Sequence, residues 1–198
     1  MKHADELTAL LRADPERRRL IALVRTLELP DCWIAAGFVR NAVWDWLHDR
    51  PPSPLSGDVD VIWFAPCGNG AENDRQLEHR LLELDSSIAW SVKNQSRMHV
   101  RNGDAPYLCS SDAMRYWPET ATAVAVRCGS HGNLELAAPF GLHDLYQAIV
   151  RPTTRFSEEK RNLFDQRLRD KRWLLHWPLL RVEENPEPRA QSLPDEIR

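Results

Sequence analysis

The chain has few cysteines, no excess of positive charge and no long apolar run. Its four cysteines (Cys32, Cys67, Cys109 and Cys128) lie far apart and form no C-x-x-C pair. This spacing argues against a clustered zinc site and against a secreted disulfide scaffold, so we expect reduced, structural thiols. No segment is apolar over the length of a bilayer, and the first residues lack the apolar core of a secretory signal. We therefore expect no membrane association and a cytoplasmic location.

The charge balance argues against a broad electrostatic grip on nucleic acid. Lysine and arginine number 26 against 29 acidic residues, which gives a formal net charge of -3. The charge balance is still compatible with a local basic patch on the surface. With 198 residues, 42% of them hydrophobic, the chain has room for one full core, or for one core and a small appendage.

A pair of acids on an apolar strand is the most informative feature present. Residues 58–64 read DVDVIWF. Since alternate side chains of a strand share a face, Asp58 and Asp60 project together while Val59 points the other way. Two adjacent carboxylates are costly unless a cation lies between them, which indicates a metal site. The structural alternatives are that Asp58 caps a turn and that Asp60 pairs with Arg40.

A glycine turn precedes this acidic pair. Gly37 follows a short strand and opens a predicted helix over residues 38–49. Glycine lets a phosphate approach the backbone closely, and the helix N-terminus behind it favours negative charge. Arg40 and Asn41 then either contact phosphate or only tie their helix to the acidic loop.

A third acid, Glu135, alternates with apolar neighbours on a predicted strand over residues 134–138. If this strand pairs with the Asp58–Asp60 strand, three carboxylates converge. Hard oxygen ligands of this kind suit Mg²⁺ or Mn²⁺, and two such ions can hold the attacking and leaving oxygens of a phosphoryl transfer. The alternative is that Glu135 lies on the exposed face of an edge strand.

Other charged residues have weaker functional interpretations. Lys93, Arg97 and His99 form a cationic segment that meets a triphosphate or an acceptor, or belongs to a solvated loop. Glu119 fits a helix or turn partner better than a metal ligand. Acids and bases alternate over residues 160–172, which is typical of a solvated helix face rather than of a nucleic-acid patch.

The remaining pattern predicts a mixed α and β chain with few strands in a single sheet. Trp44 and Trp46 lie in the predicted helix after Gly37, and Trp173 and Trp177 lie at helical spacing near the C-terminus. All four are expected to serve the core. From Glu183 onward the chain is rich in Pro, Glu and Asp, and we expect disorder there. The predicted helices span residues 5–12, 15–28, 38–49, 72–84, 142–150 and 157–173, and the predicted strands span 32–36, 58–64, 88–93, 122–127 and 134–138.

Together these motifs resemble the nucleotidyltransferase superfamily of DNA polymerase beta. The turn GFVRN at residues 37–41 is similar to the glycine motif of tRNA CCA-adding enzymes, which usually carry two glycines and Arg-Asp. Residues 15–180 resemble more closely a bacterial group known only as nucleotidyltransferase family proteins. The motifs that carry this resemblance are AGFVRN at 36–41, DVDV at 58–61, VKNQSRMH at 92–99, WPETATAV at 117–124 and APFGL at 138–142.

The resemblance implies an α+β polymerase beta-like fold, a small mixed sheet flanked by helices, in one domain over residues 1–182. It implies that Asp58, Asp60 and Glu135 are the catalytic metal ligands for Mg²⁺ or Mn²⁺. It also implies that Gly37 binds the nucleoside triphosphate. Further candidates for this binding are Arg40, Asn41, Lys93 and Arg97. Two positions depart from the family pattern, because Ala36 stands where a second glycine or serine is usual and Phe38 is bulky.

The resemblance implies transfer of a nucleoside monophosphate from a nucleoside triphosphate to an acceptor hydroxyl, with release of pyrophosphate. A small molecule or a protein is favoured over long nucleic acid as the acceptor, since no large basic surface is evident. Two alternatives remain open: a nucleotide-binding regulator that has lost turnover, motivated by Ala36 and Phe38, and a metal-dependent phosphohydrolase.

Overall fold

The computed structural model of the protein describes residues 2–51, 55, 57–66, 70–129 and 132–184. Of the tail predicted to be disordered, Glu183 and Glu184 are described, and they form ion pairs with Arg151 and Arg161 respectively. The predicted disorder of residues 185–198 and the predicted reduced thiol of Cys67 concern residues outside those described. The boundary of a single domain at residue 182 stays a prediction.

Helices and strands are interspersed along the chain. Asp14 accepts a hydrogen bond from the Arg17 backbone N–H and caps the second helix, with Pro15 at its first position. Within the described residues, no helix combines the length and apolar character needed to cross a bilayer. The helices are α1 (Lys2–Ala13), α2 (Pro15–Arg25), α3 (Gly37–Leu47), α4 (Ala71–Leu84), α5 (Met98–Asn102), α6 (Ser110–Met114), α7 (His143–Tyr146), α8 (Thr154–Ser157), α9 (Arg161–Lys171) and α10 (Trp173–His176). The strands are β1 (Trp33–Ala35), β2 (Asp58–Trp63), β3 (Ala89–Asn94), β4 (Ala125–Cys128), β5 (Leu134–Ala137), β6 (Ile149–Val150) and β7 (Arg181–Val182).

The main sheet is five-stranded and mixed, with the order β3-β2-β1-β4-β5. β2 and β3 run parallel, and the other neighbours are antiparallel. Asp60 lies opposite Ala35 of β1, which in turn lies opposite Ala125 of β4. β6 and β7 form a separate parallel pair. The prediction of a small mixed sheet flanked by helices is therefore confirmed.

The two faces of the sheet differ in what covers them. Ile34, Val61 and Val126 point into the main core, where helices α1 to α4 contribute their apolar sides. The opposite face carries a smaller cluster that includes Ala35 and Ile62. Because side chains alternate along β2, the two aspartates lie on this second face, beside a thinner apolar layer.

Tryptophans join the C-terminal helices to α3. Trp44 is fully buried, and the rings of Trp173 and Trp177 meet its ring edge-to-face at centroid distances of 5.5 and 5.1 Å. The Trp177 indole N–H donates to Asp45 at 2.8 Å. Trp46 departs from the expected core role, since it is 49% exposed. This packing places α10 and the residue after it against α3.

The chain near the C-terminus is more broken than predicted. The helix expected over residues 142–150 ends at Tyr146, because Ala148 adopts a positive φ of 55° and the next residues enter β6. The helix expected over residues 157–173 is divided into α8, α9 and α10. Arg172, with φ of 49°, separates the last two. Positive φ values cannot continue a right-handed helix, and neither residue is a glycine that would signal the break.

Candidate active site

Strand β2 presents two acidic side chains to one face of the sheet. Asp58, at the start of the strand, is exposed and Asp60 is partly buried, whereas Val59 and Val61 are buried on the opposite face. Within the described residues neither aspartate forms an ion pair, so the alternative that Asp60 pairs with Arg40 is not what the structure shows. Two carboxylates therefore share one face of β2 without a direct ion-pair partner among the described residues.

The surroundings of Asp60 favour its neutral form in the absence of a bound cation. Burial raises the pKa of this carboxyl to about 6, and the nearby Asp58 adds to the shift. The positive charges of Arg167, Arg40 and Lys171 act in the opposite direction but do not cancel it. A divalent cation at this position would replace the proton.

The turn before α3 has an unusual backbone. Ala36 adopts φ of 54° and ψ of -123°, a region that favours glycine, and its N–H donates to the Val124 carbonyl at 3.0 Å. A Cβ at Gly37 would meet nothing closer than 3.6 Å, the distance to side-chain nitrogens of Arg40 and Asn41. The protein's own packing therefore does not require a glycine at position 37.

Gly37, Asn41 and Asp58 line one narrow space, together with His176. It adjoins a cavity of about 470 Å³ to which α9 and α10 contribute positive charge. The residues that line this larger cavity are Arg40, Asn41, Lys171, Arg172, Trp173, Leu175, His176 and Trp177. The structure thus brings the glycine turn and Asp58 together, as the sequence predicts, and adds a cationic wall.

Arg40 is held inside the protein. Its guanidinium donates to the Thr122 hydroxyl at 2.8 Å and to the Asn41 amide oxygen at 2.9 Å. It lies over the rings of Trp44 and Trp173, at 4.8 and 4.4 Å from their centroids. Burial lowers its pKa to about 10, so it stays charged at neutral pH. Arg40 therefore supplies positive charge beneath the site and ties α3 to the loop before β4.

Asp60 borders a different cavity, of about 480 Å³, on the β3 side of β2. Arg167 of α9 reaches into this cavity, and its Nε donates at 2.6 Å to Glu119, a fully buried carboxylate. The interpretation of residues 160–172 as a solvated face is therefore wrong for Arg167. Arg167 and Lys171 lie four residues apart, on one helix face. The partner role expected for Glu119 matches its contact with Arg167.

Glu135 does not join the two aspartates, which corrects the expected convergence of three carboxylates. Its strand β5 pairs with β4 at the far edge of the sheet, not with β2. β1 and β4 lie between, so β5 is about 14 Å from β2 at the usual strand spacing. Glu135 instead accepts a hydrogen bond from Arg127 at 2.7 Å. Within the described residues, no three His, Cys, Asp or Glu side chains are grouped to hold a metal ion.

Lys93 and Arg97 have separate positions. The Lys93 ammonium lies 2.5 Å from Glu78 and also borders the Asp60 cavity. Arg97 pairs with the buried Asp74 of α4 and is not among the residues that line the cavity. The structure therefore brings Lys93 to the site and engages Arg97 in a contact between the turn after β3 and the buried Asp74 of α4.

The chain is similar in sequence and in fold to known nucleotidyltransferases. A family model described as nucleotidyltransferase matches residues 22–182. A structure solved by NMR and described as revealing a CCA-adding enzyme head domain has a TM-score of 0.82 and 36% sequence identity. That match covers 91% of this chain and 96% of that one. No curated protein matches the chain.

Two more distant structures show the fold alone. One is a CCA-adding enzyme solved with CTP, with a TM-score of 0.59 and 19% identity. The other is the Thermotoga maritima CCA-adding enzyme solved with tRNA, with a TM-score of 0.58 and 16% identity. Both matches cover 90% of this chain but only 43% and 42% of those enzymes. The fold is that of a nucleotidyltransferase head domain, the polymerase beta-like fold implied by the sequence motifs.

Proposed function

The chain belongs to the nucleotidyltransferase family, and on this premise we propose that it transfers a nucleoside monophosphate from a nucleoside triphosphate to an acceptor hydroxyl. The observation that carries the proposal is the pair Asp58 and Asp60 on one face of β2, beside the Gly37 turn and without an ion-pair partner in the described part of the chain. The acceptor oxygen bonds to the α-phosphorus while the bond from that phosphorus to the oxygen bridging to the β-phosphate breaks. Pyrophosphate leaves, and the hydroxyl proton is released to solvent.

The two aspartates fit a magnesium or manganese ion. Both offer hard oxygen atoms, and Mg²⁺ is commonly held by one or two carboxylates together with waters and substrate phosphates. Asp58 and Asp60 therefore suffice without Glu135. When bound, such an ion would withdraw charge from the phosphoryl oxygens and orient the reacting groups.

The Gly37 turn and the cationic wall would receive the triphosphate. Gly37 opens an 11-residue helix, whose first N–H groups favour an anion. Lys171 and Arg172 add positive charge from the neighbouring cavity. Related CCA-adding enzymes have been solved with CTP and with ATP, which supports a nucleoside triphosphate as the donor.

The test is turnover by the purified protein with each of the four nucleoside triphosphates, with and without Mg²⁺, over a panel of acceptors. Pyrophosphate release and the mass of the acceptor product are measured together, because a mass increase separates transfer from hydrolysis. Asp60→Asn should lower the rate on the order of a thousandfold, since a lost metal ligand removes several kcal/mol of transition-state stabilisation.

Glu135→Gln is the matched control. It removes one carboxylate charge from the same face of the sheet, but at a position that pairs with Arg127. This variant should keep its activity within a few-fold of the unmodified protein. Full activity of Asp60→Asn, or loss of activity in Glu135→Gln, would contradict the proposed site.

A second candidate function is a nucleotide-binding regulator without turnover. It is favoured by the absence of a third carboxylate grouped with Asp58 and Asp60 among the described residues, and by the bulky Phe38 at the turn. Calorimetry with each nucleoside triphosphate separates the two. Magnesium-dependent binding without pyrophosphate release for any acceptor supports the regulator.

A further inference from the structure

The two aspartates of β2 border two different spaces. Asp58 lines the narrow space with Gly37 and Asn41, whereas Asp60 lines the 480 Å³ cavity on the β3 side. A transferase must hold two substrates with their reacting atoms next to each other. If the triphosphate occupies the Gly37 side, the Asp60 cavity is left for the acceptor.

The positive charges in the Asp60 cavity are not equivalent. Lys93 pairs with Glu78, and Arg167 pairs with Glu119. Arg101, in the last turn of α5, is exposed and has no ion pair or side-chain hydrogen bond within the described ranges. Asp60 is the only carboxylate among the lining residues. The charge of Arg101 is therefore not balanced by an ion pair with any described residue of the cavity wall.

The rest of the cavity wall suits a small polar molecule. Gln95 and Asn102 offer amide groups, and Tyr116 and Trp117 offer partly buried rings. A volume of about 480 Å³ lies within the usual range for small-molecule sites. Arginine binds phosphate and carboxylate groups through two parallel hydrogen bonds, which makes it selective for anions of this shape.

We propose that the acceptor is a small anionic alcohol, a molecule that carries a hydroxyl group and a phosphate or carboxylate. Arg101 binds the anionic group, and the hydroxyl faces Asp60. This inference rests on the proposed transferase function and names its acceptor class.

The test compares matched pairs of alcohols as acceptors, with the nucleoside triphosphate that binds best. The pairs are glycerol 3-phosphate against glycerol, glycerate against glycerol, and ribose 5-phosphate against ribose. The charged member should have a kcat/KM at least about tenfold higher, because hydrogen bonds between charged groups are the stronger kind. The phosphate and carboxylate arms show which anion the site prefers.

Arg101→Gln tests the residue itself, and Arg115→Gln is its control. Arg115 is also exposed and directly follows α6, but it is not among the residues that line the cavity. Arg101→Gln should raise KM for the anionic alcohol on the order of ten- to a hundredfold while KM for the triphosphate stays unchanged. Arg115→Gln should leave both constants unchanged.

Three outcomes would overturn the proposal. The first is equal use of the charged and neutral alcohols, and the second is use of an oligoribonucleotide or a protein but of none of the small anions. The third is triphosphate binding without pyrophosphate release for every acceptor. If either of the first two outcomes is found and activity still depends on Asp60, the acceptor class is wrong but the transferase function is retained. Failure of this inference is therefore distinguishable from failure of the proposed function.

Discussion

The acidic side chains near the two ends of strand β2 differ in whether they have partners of opposite charge. At its start, Asp58 and Asp60 lie next to each other with no ion-pair partner in the described part of the chain. At its end, Asp74 of α4 is buried, pairs with Arg97, and accepts hydrogen bonds from the Trp63 indole and the Asn94 backbone N–H. Asp74 is a fully compensated structural acid, whereas burial, together with the nearby Asp58, raises the pKa of the Asp60 carboxyl. The partners of an acid, rather than its position on an apolar strand, separate a binding site from a structural contact.

The largest effect on stability is expected at the compensated end. Asp74→Ala leaves the Arg97 guanidinium and two N–H donors without their acceptor, and breaking a buried pair of this kind costs about 3–5 kcal/mol. Urea unfolding monitored by tryptophan fluorescence would measure the loss. A change below about 1 kcal/mol would mean that the two ends of β2 do not differ as described.

At the start of β2, replacement of the acid is expected to raise the stability of the protein rather than to lower it. The pKa of Asp60 is raised from 3.8 to about 6, so the folded protein holds a proton that the unfolded chain releases at lower pH. Ionisation of Asp60 therefore costs stability as the pH rises through about 6. Asp60→Asn should unfold like the unmodified protein near pH 3.5 and be more stable by roughly 1–3 kcal/mol at pH 8.

Unfolding curves over this pH range, recorded with and without Mg²⁺, check the sign. Magnesium should stabilise the unmodified protein at pH 8 and leave Asp60→Asn unchanged, because a ligand that binds only the folded state raises its stability. If the difference in stability between Asp60→Asn and the unmodified protein does not vary with pH, it does not arise from ionisation of Asp60.

A smaller effect on stability is expected at the turn beside the aspartates. Gly37→Ala introduces a Cβ that meets nothing closer than 3.6 Å, and alanine is favoured over glycine in a helix by up to about 1 kcal/mol. The variant should therefore be as stable as the unmodified protein or slightly more stable. Calorimetry should nevertheless show weaker triphosphate binding, since the methyl group occupies the approach to the backbone. An unchanged affinity for the triphosphate would mean that Gly37 does not contact it.

The sequence predicts local features well because they depend on neighbours in the chain. The alternation from Asp58 to Trp63 places both aspartates on one face, and Gly37 marks the start of α3. The position of Glu135 depends instead on which strands become neighbours, and two antiparallel strands insert between β5 and β2. No pattern within residues 134–138 carries that information.

The contribution of α9 was missed for a similar reason. Arg167 and Lys171 stand in a helix with charges of both signs, which is typical of a solvated surface. What distinguishes Arg167 is its contact with Glu119, 48 residues earlier in the chain. Long-range pairing of this kind follows from the packing of Trp44 against Trp173 and Trp177, not from helical periodicity.

The hydrogen bond from Trp177 to Asp45 joins residues 132 positions apart, and this has a consequence for synthesis of the protein. The aspartates and Gly37 lie in the first half of the chain, and hydrogen bonds from Ala36 to Val124 and from Arg40 to Thr122 join the turn to the segment before β4. The cationic wall of Lys171 and Arg172 arrives only when α9 and α10 dock on α3. A nascent or truncated chain that ends before α9 would carry the acidic pair without the counter-charge for a triphosphate. On the proposed function, binding of the triphosphate would then require that α9 and α10 have docked on α3.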